Sequence, residues 1–382
     1  MAKVTVDVVK QDVLIWARES IGLTQEEAAK KLDMSLVELR MLEEGPESPT
    51  IGQLRKMVNI YKRPLAALLL PEPPRNTNDI KDFRLLPGKA NRSYSSTLTL
   101  AFRRAYMQRE VAQELAEMAE EMPAPLDLSI SIDDNPEVVG EEIRAWLGEP
   151  VRKDDLNQWI TLVEVKAILV IQIKGVAVDE MRGCSISDQP FPVIMLNGKD
   201  SSRGKIFTLM HELTHIILRS GGLCNLEQQR PNATIGSVRI ERFCNRVAAS
   251  ILMPRTSVLR DPQVAQSVPE TRWSDEDLKR LADKYGVSRE AMLLRLIELD
   301  RATWDYYYSK RIHVRLVDND EQDKSGHPGY YRTHLRDYGR LYVSAVLDAY
   351  HRRDITGSEL SDYLNIKVNN LPGLEAELGK RR

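Results

Sequence analysis

Over the first 75 residues the apolar positions recur at helical spacing, in short bursts separated by turn chemistry. Asp12–Ser20 is one such burst, closed by Gly22. Thr24-Gln-Glu-Glu27 has the form of a capping box, in which the hydroxyl and the third-residue carboxylate each accept the other's free backbone N–H. It opens a helix to about Leu32. A tight turn at Asp33-Met-Ser leads to a second box, Ser35-Leu-Val-Glu38, and a helix that runs to Glu44 before Gly45-Pro46. A helix over about Thr50–Tyr61 and a short apolar one between Pro64 and Pro71 complete five. Two short helices across a three- to four-residue turn are the geometry of a helix-turn-helix.

Pro71-Glu-Pro-Pro74 marks a boundary, and the pattern then divides the chain into four parts. Residues 1–75 form the helical bundle. Residues 76–150 read as an acidic helical linker and the start of the next domain: Arg109–Pro150 carries twelve acidic residues against Arg109 and Arg144. Its Pro123–Pro136 part is a loop between two helices. Residues 151–260 hold β-branched runs of strand length, Ile168–Ile173 and Pro192–Leu196, then two helices, Lys205–Arg219 and Ile240–Leu252. The second places Ile240, Phe243, Val247 and Ile251 on one face. Residues 261–382 are helical, clearest at Ser274–Tyr285, Ser288–Leu299 and Arg340–His351, with a polar loop at Asp318–Gly329. No internal repeat is visible.

Composition narrows the classes. With 382 residues, 42% apolar and 29% charged, the chain is long enough for two or three packed domains and is neither fibrous nor disordered. A net charge of −2 excludes a chain that wraps nucleic acid along its length, so any such role sits in a small module. Three cysteines, Cys184, Cys224 and Cys244, are too few for a disulfide framework and point to free thiols in a reducing compartment. The apolar runs fall short of a membrane span and the N-terminus lacks a signal-type apolar stretch, so a cytoplasmic protein with no membrane partner is expected.

The sharpest chemical feature is His211-Glu212-Leu213-Thr214-His215. On a helix, imidazoles at i and i+4 share a face one turn apart and reach a single ion, while the intervening glutamate stands beside them, placed to handle a proton. The helix is apolar nearly all round, through Phe207, Leu209, Met210, Ile216 and Ile217. Three polar groups buried there without an ion would be costly. A catalytic zinc site needs a third protein ligand. Glu227, Glu241, Cys224 and Cys244 are the downstream candidates; Glu241, in the first turn of the next helix, is the best placed, and a cysteine would favour a closed, structural site.

Phe207–His215, followed by Glu241-Arg-Phe-Cys-Asn245 through Pro254, resembles the two metal motifs of the ImmA/IrrE metallopeptidases. Supporting likeness lies at Gly175–Val178, Pro192–Asn197, Arg203, Tyr285–Ser288, Arg295-Leu296 and the far C-terminus, together spanning most of Trp146–Leu378. The resemblance implies one Zn2+ per chain held by His211, His215 and Glu241, with Glu212 as general base. Thr214 stands where that family has glycine, and Cys244 and Val247 replace its alanine and phenylalanine. The implied fold is α+β and mostly helical: a five-helix helix-turn-helix bundle, a zincin-like domain with a small sheet and the HExxH helix, and a helical C-terminal region. The implied activity is limited cleavage of a regulatory protein, often a helix-turn-helix repressor.

Leu23–Gly45 and Pro49–Leu54 resemble the Cro/phage-repressor class. The helix that would read bases starts at Ser35 and offers Leu36, Val37, Glu38, Arg40 and Met41, of which only Arg40 suits direct readout. Lys30, Lys31 and Arg18 are candidate phosphate contacts for double-stranded DNA. Residues 1–70 hold ten basic and ten acidic side chains, so affinity from counterion release would be weak unless the charge is segregated. Protein docking through Leu36, Val37 and Met41 is the competing role. A DNA-binding regulator or a toxin–antitoxin component with a mainly structural zinc site would share these features. His313, His327, His334 and His351 lack ligand spacing, and Tyr330-Tyr331 is expected in a loop.

Overall fold

The computed structural model describes residues 5–74, 94–219, 223–224, 235–310 and 329–380. They fall into two compact units, Met1–Tyr106 and Met107–Arg382.

The first unit is the expected five-helix bundle: α1 (Gln11–Glu19), α2 (Gln25–Leu32), α3 (Leu36–Glu43), α4 (Ile51–Tyr61) and α5 (Leu65–Leu68), joined by the first turns of α6 (Ser96–Met118). Leu14, Ala17, Leu32, Leu39, Leu54 and Met57 bury one stripe of each helix in a common core. The Thr24 box closes in both directions, and Asp33 takes the left-handed conformation (φ 56°) that turns α2 into α3. The second box is only half made. The Ser35 hydroxyl accepts from the Glu38 N–H, but Glu38 instead accepts a hydrogen bond from Gln53 on α4 at 2.9 Å, a longer-range partner that outcompetes the local one. Thr50, which the pattern marked only as a helix start, forms a complete box with Gln53.

In the second unit α7 (Pro136–Leu147) and α8 (Leu156–Glu164) precede four strands, β1 (Leu169–Ile173), β2 (Gly183–Ile186), β3 (Val193–Asn197) and β4 (Leu223–Cys224). The sheet order is β1-β3-β2-β4. β1 and β3 run parallel with Leu169 opposite Val193, and β2 runs antiparallel to β3 and to β4. Helix α9 (Ser202–Ile217) lies against β2 and β3, and α10 (Ile235–Leu252) packs against α9 on one side and α7 on the other. The expected helix start at Ile240 is therefore too late by more than a turn. Short helices α11 (Arg255–Leu259) and α12 (Pro262–Ala265) lead to α13 (Asp275–Tyr285) and α14 (Arg289–Glu298). After a helical stretch at 304–310 come α15 (Tyr330–Tyr338), α16 (Arg340–Arg352), α17 (Gly357–Leu364) and α18 (Leu371–Leu378). Tyr330 and Tyr331 thus open a helix rather than sit in a loop, and the expected polar loop lies outside the described residues up to Gly329. Among the described residues no helix is long and apolar enough to cross a membrane.

The acidic composition of 109–150 hides a buried element. Helix α7 puts Val139, Ile143 and Leu147 into the core, and Gly140 lets it approach α10 closely: a Cβ there would lie 2.4 Å from the Cβ of Ser250. Glu137, in its first turn, accepts two hydrogen bonds from Arg295 on α14, at 2.6 and 2.7 Å.

Glu164, at the end of α8, is buried and accepts the Leu341 N–H at the start of α16 (3.1 Å). It caps that helix from a distant part of the chain. Burial pushes its pKa up to about 7, against the opposing pull of that N–H and of Arg340. The folded protein therefore keeps this proton to higher pH than the unfolded chain does. The resulting stability is present below the ordinary carboxylate range and is lost as pH rises through about 7. Glu164→Gln retains an acceptor for Leu341 and removes the charge. It should be nearly neutral at low pH and stabilising by about 2–3 kcal/mol above neutrality in urea denaturation. Equal effects at both ends of the range would count against the buried-carboxylate account.

Candidate metal centre

Ser201 starts α9 by accepting the Gly204 N–H at 2.8 Å, and the helix then buries nearly every side chain from Lys205 to Ile217. Such a helix has no solvent face to which polar residues could turn. His211 and His215, one turn apart, bring their Nε2 atoms within 3.1 Å, with ring centroids 4.8 Å apart. Two ring nitrogens that close cannot both carry hydrogens aimed at each other, so a lone pair faces the gap. Glu241, in the second turn of α10, closes the triangle: Oε2 stands 3.4 Å from Nε2 of His211 and Oε1 3.7 Å from Nε2 of His215. Around a tetrahedral zinc with bonds near 2.0–2.1 Å, neighbouring donor atoms lie about 3.3–3.4 Å apart. The three side chains thus form the edges of a site that fits one such ion, and they are the metal-capable group found among the described residues.

The surroundings sort the roles. The histidines are buried, whereas the Glu241 side chain is 39% exposed, so the centre opens toward solvent on the α10 side. Burial works against charging His211. The hydrogen bond that the ring donates to Glu241, the charge of Glu212 and the neighbouring Asn245 outweigh it and raise the ring's pKa. Thr214, in place of glycine, is accommodated because its hydroxyl donates to the Met210 carbonyl at 2.8 Å within the same helix.

Glu212 is fully buried against β2. A Cβ added at Gly183 would lie 2.3 Å from Cγ2 of Thr208 and 2.9 Å from Oε1 of Glu212. Gly183 therefore makes the space in which the carboxylate sits. It was missed in the sequence because four residues, Gly-Cys-Ser-Ile, all buried, show no alternation that would mark a strand. Its neighbour Cys184 and the helix residue Cys244 are both buried free thiols. Burial raises the pKa of each, with Glu212 adding to the rise at Cys184 and Glu241 and Glu212 at Cys244. Among the described residues neither thiol belongs to the group of donor atoms that converge on one point. Glu227 lies outside the described residues; Cys224 contributes its backbone to β4.

In the first unit Lys30, Lys31, Ser35, Val37 and Arg40 are exposed, as a contact surface requires. Leu36 and Met41 are only half-exposed, which leaves Val37, at 70%, as the one large apolar group fully presented by α3. Arg40 is engaged by Gln25 at 3.2 Å. Arg18 is not available for phosphate: it is buried, and its Nε donates to Glu43 at 2.8 Å. Of the remaining histidines, His334 is buried and stacked on Tyr338, His351 pairs with Glu375 at 2.9 Å, and His313 and His327 lie outside the described residues.

If the triad is a metal site, elemental analysis of the purified chain should give about one divalent ion per molecule. His211→Ala and Glu241→Ala should each retain less than roughly a tenth of it after dialysis. Full occupancy in Glu241→Ala would remove that residue from the ligand set.

No characterised protein matches the chain significantly over its sequence. Residues 14–68 match a family described as Helix-turn-helix, and residues 166–296 match the Peptidase_M78 family, described as the IrrE N-terminal-like domain. The second match begins just before β1 and ends within α14, so it holds the sheet, both metal-centre helices and Arg295, and stops short of the C-terminal helices. Over those stretches the chain is thus similar to a Peptidase_M78 domain preceded by a helix-turn-helix module.

Proposed function

We propose that this chain is a zinc-dependent endopeptidase that makes a limited cut in a regulatory protein, with a helix-turn-helix repressor as the favoured substrate. The observation that carries the reading is the triangle of donor atoms from His211, His215 and Glu241, spaced for a tetrahedral ion and flanked by the buried Glu212. An ion in that triangle supplies Lewis acidity, polarising a scissile carbonyl and lowering the pKa of an attacking water toward ~7. Glu212 takes the proton from that water and returns it to the leaving amine. Its apolar surroundings and the wall formed by Gly183 and Thr208 hold the carboxylate in one place, so no reorganisation is needed when the proton moves. With three protein donors holding it, a bound ion would keep room for a substrate carbonyl or a water, and the exposure of Glu241 marks the side from which a chain would enter.

The helix-turn-helix module supports a second role in the same reading: docking the partner. Val37 offers an apolar anchor beside charged neighbours, whereas the base-reading candidate Arg40 is held by Gln25.

Glu212→Gln should keep the metal and lower cleavage of a helix-turn-helix repressor substrate, sought among the proteins encoded beside this chain, by about 10²–10⁴-fold. Turnover at the wild-type rate would sink the general-base assignment. Gly183→Ala is the subtler probe. It displaces the Glu212 carboxylate without touching a ligand, and should cost roughly 10²-fold in kcat with metal content unchanged.

For the module, Val37→Asp should weaken pull-down of the partner and leave operator retention unaltered, with Arg40→Ala doing little to pull-down. If Arg40→Ala abolished operator retention while both variants bound partner normally, the module would be a DNA reader instead.

A further inference from the structure

Trp16 and the C-cap Ser20 stand four residues apart on α1 and so share one face, a turn apart. Each is met by a guanidinium from another element. Arg63, in the turn after α4, lies over the Trp16 ring with Cζ 4.5 Å from its centroid. Arg103, on α6, donates through Nη2 to the Ser20 carbonyl. Two cations are thereby gathered at one end of one helix. Each also retains a buried N–H with no hydrogen-bond partner, Nε of Arg63 and Nη1 of Arg103. Among the described residues neither is paired with a carboxylate. Arg18 is matched by Glu43 and Arg295 by Glu137; a leftover Nε recurs singly at Arg104, Arg289 and Arg301, whereas here two such groups meet at one helix end.

We propose that Arg63 and Arg103, with the Trp16 ring beside them, form a binding site for a small phosphate-bearing anion. Partly buried guanidiniums with a donor left over on each are suited to an oxyanion, whose oxygens can accept an N–H from both groups. Two positive charges match a phosphate monoester near its dianionic form at neutral pH. Among the described residues no carboxylate compensates this charge: burial and the proximity of Arg63 push the pKa of Arg103 down to about 10, and burial lowers that of Arg63. Part of Arg103's placement is explained by the α1 carbonyl end, which favours a cation. That interaction needs one guanidinium and accounts for neither the second nor the leftover donors.

Position selects the source of the phosphate. Arg18 lies two residues from Trp16, about 160° around α1, and faces Glu43 on α3. The Trp16–Ser20 face is therefore turned away from the helix that would enter a DNA groove, which favours a free ligand over the DNA backbone.

Inorganic phosphate titrated into the full chain by isothermal calorimetry, at constant ionic strength, tests this. Saturable uptake of about one phosphate per chain is expected, weakened at least about tenfold in Arg63→Gln and in Arg103→Gln. It should be unchanged in Arg55→Gln, an exposed arginine on α4. Absence of saturable binding in the wild type, or equal binding in all the variants, would overturn the site. Circular dichroism checks each variant, and if Arg103→Gln fails to fold, Arg63→Gln decides. A second titration in the presence of duplex DNA separates the sources. Displacement of phosphate by the duplex, with duplex retention dependent on Arg63, would assign the site to the DNA backbone and defeat the small-ligand proposal.

Discussion

The candidate metal centre depends on how α10 is held against α9. Two of its three donors come from one helix and are fixed by the 3.6-residue turn, but the third arrives from another element and must meet them within a few tenths of an ångström. The end of α10 is tied down for this purpose. Arg295 donates through Nε to the Met253 carbonyl at 3.0 Å, and Arg144 on α7 donates to the Ile251 carbonyl. Both satisfy carbonyls that a helix terminus leaves without intrahelical partners, and both bring positive charge to the negative end of the dipole. A fully buried arginine is costly unless matched. Glu137 supplies the match with two hydrogen bonds, and Ser250 on α10 donates to the same carboxylate at 3.1 Å. The chain from α14 through α7 to α10 is closed.

Such an arrangement sets a mechanical relation between distant parts of the sequence. Glu137 and Arg295 are 158 residues apart, yet each fixes the pitch and rotation of the helix that presents Glu241. Close packing does the rest. With Gly140 on α7 in contact with Ser250, and Val247, Ala248 and Ile251 buried, α10 has no free volume in which to rotate. The polar centre itself works against stability, since His211, Glu212 and His215 are carried into an apolar layer. The dense core around them is what allows a group of that kind to persist.

Sequence patterning disclosed the parts whose causes are local. The capping residues at Thr24, the left-handed turn at Asp33, the helices of the bundle and the pair His211/His215 all follow from spacings of a few residues. Glu241 needed more: spacing left several third ligands open, and resemblance to a known motif chose among them. What stayed hidden has non-local causes. The partner of Glu38 is Gln53 rather than its own helix start, because a fold-dependent contact displaced the box. Arg18 looked like a surface cation until the fold brought Glu43 against it. Gly183 carries no periodic signal, and its role exists only because β2 passes under Thr208 and Glu212. The helix after Pro136 was legible, but the acidic stretch before residue 150 concealed that α7 has a buried face, since average composition says nothing of which face of a helix is buried.

The treatment of positive charge in the first unit extends the same reasoning. A module with equal numbers of acidic and basic groups attracts anions only if some of its cations escape neutralisation. Arg18 does not escape, since Glu43 takes it up, and Arg40 is engaged by Gln25 and stands 4.0 Å from Glu26. The α3 surface is thus left with its apolar group, Val37, as its most distinctive feature. Arg63 and Arg103 do escape, and they do so where burial makes an unmatched charge most expensive. Among the described residues, a fold that matches Arg18 with Glu43 and engages Arg40 with Gln25 leaves Arg63 and Arg103 in each other's field at one end of α1. That asymmetry, more than net charge, is what the proposed anion site draws on.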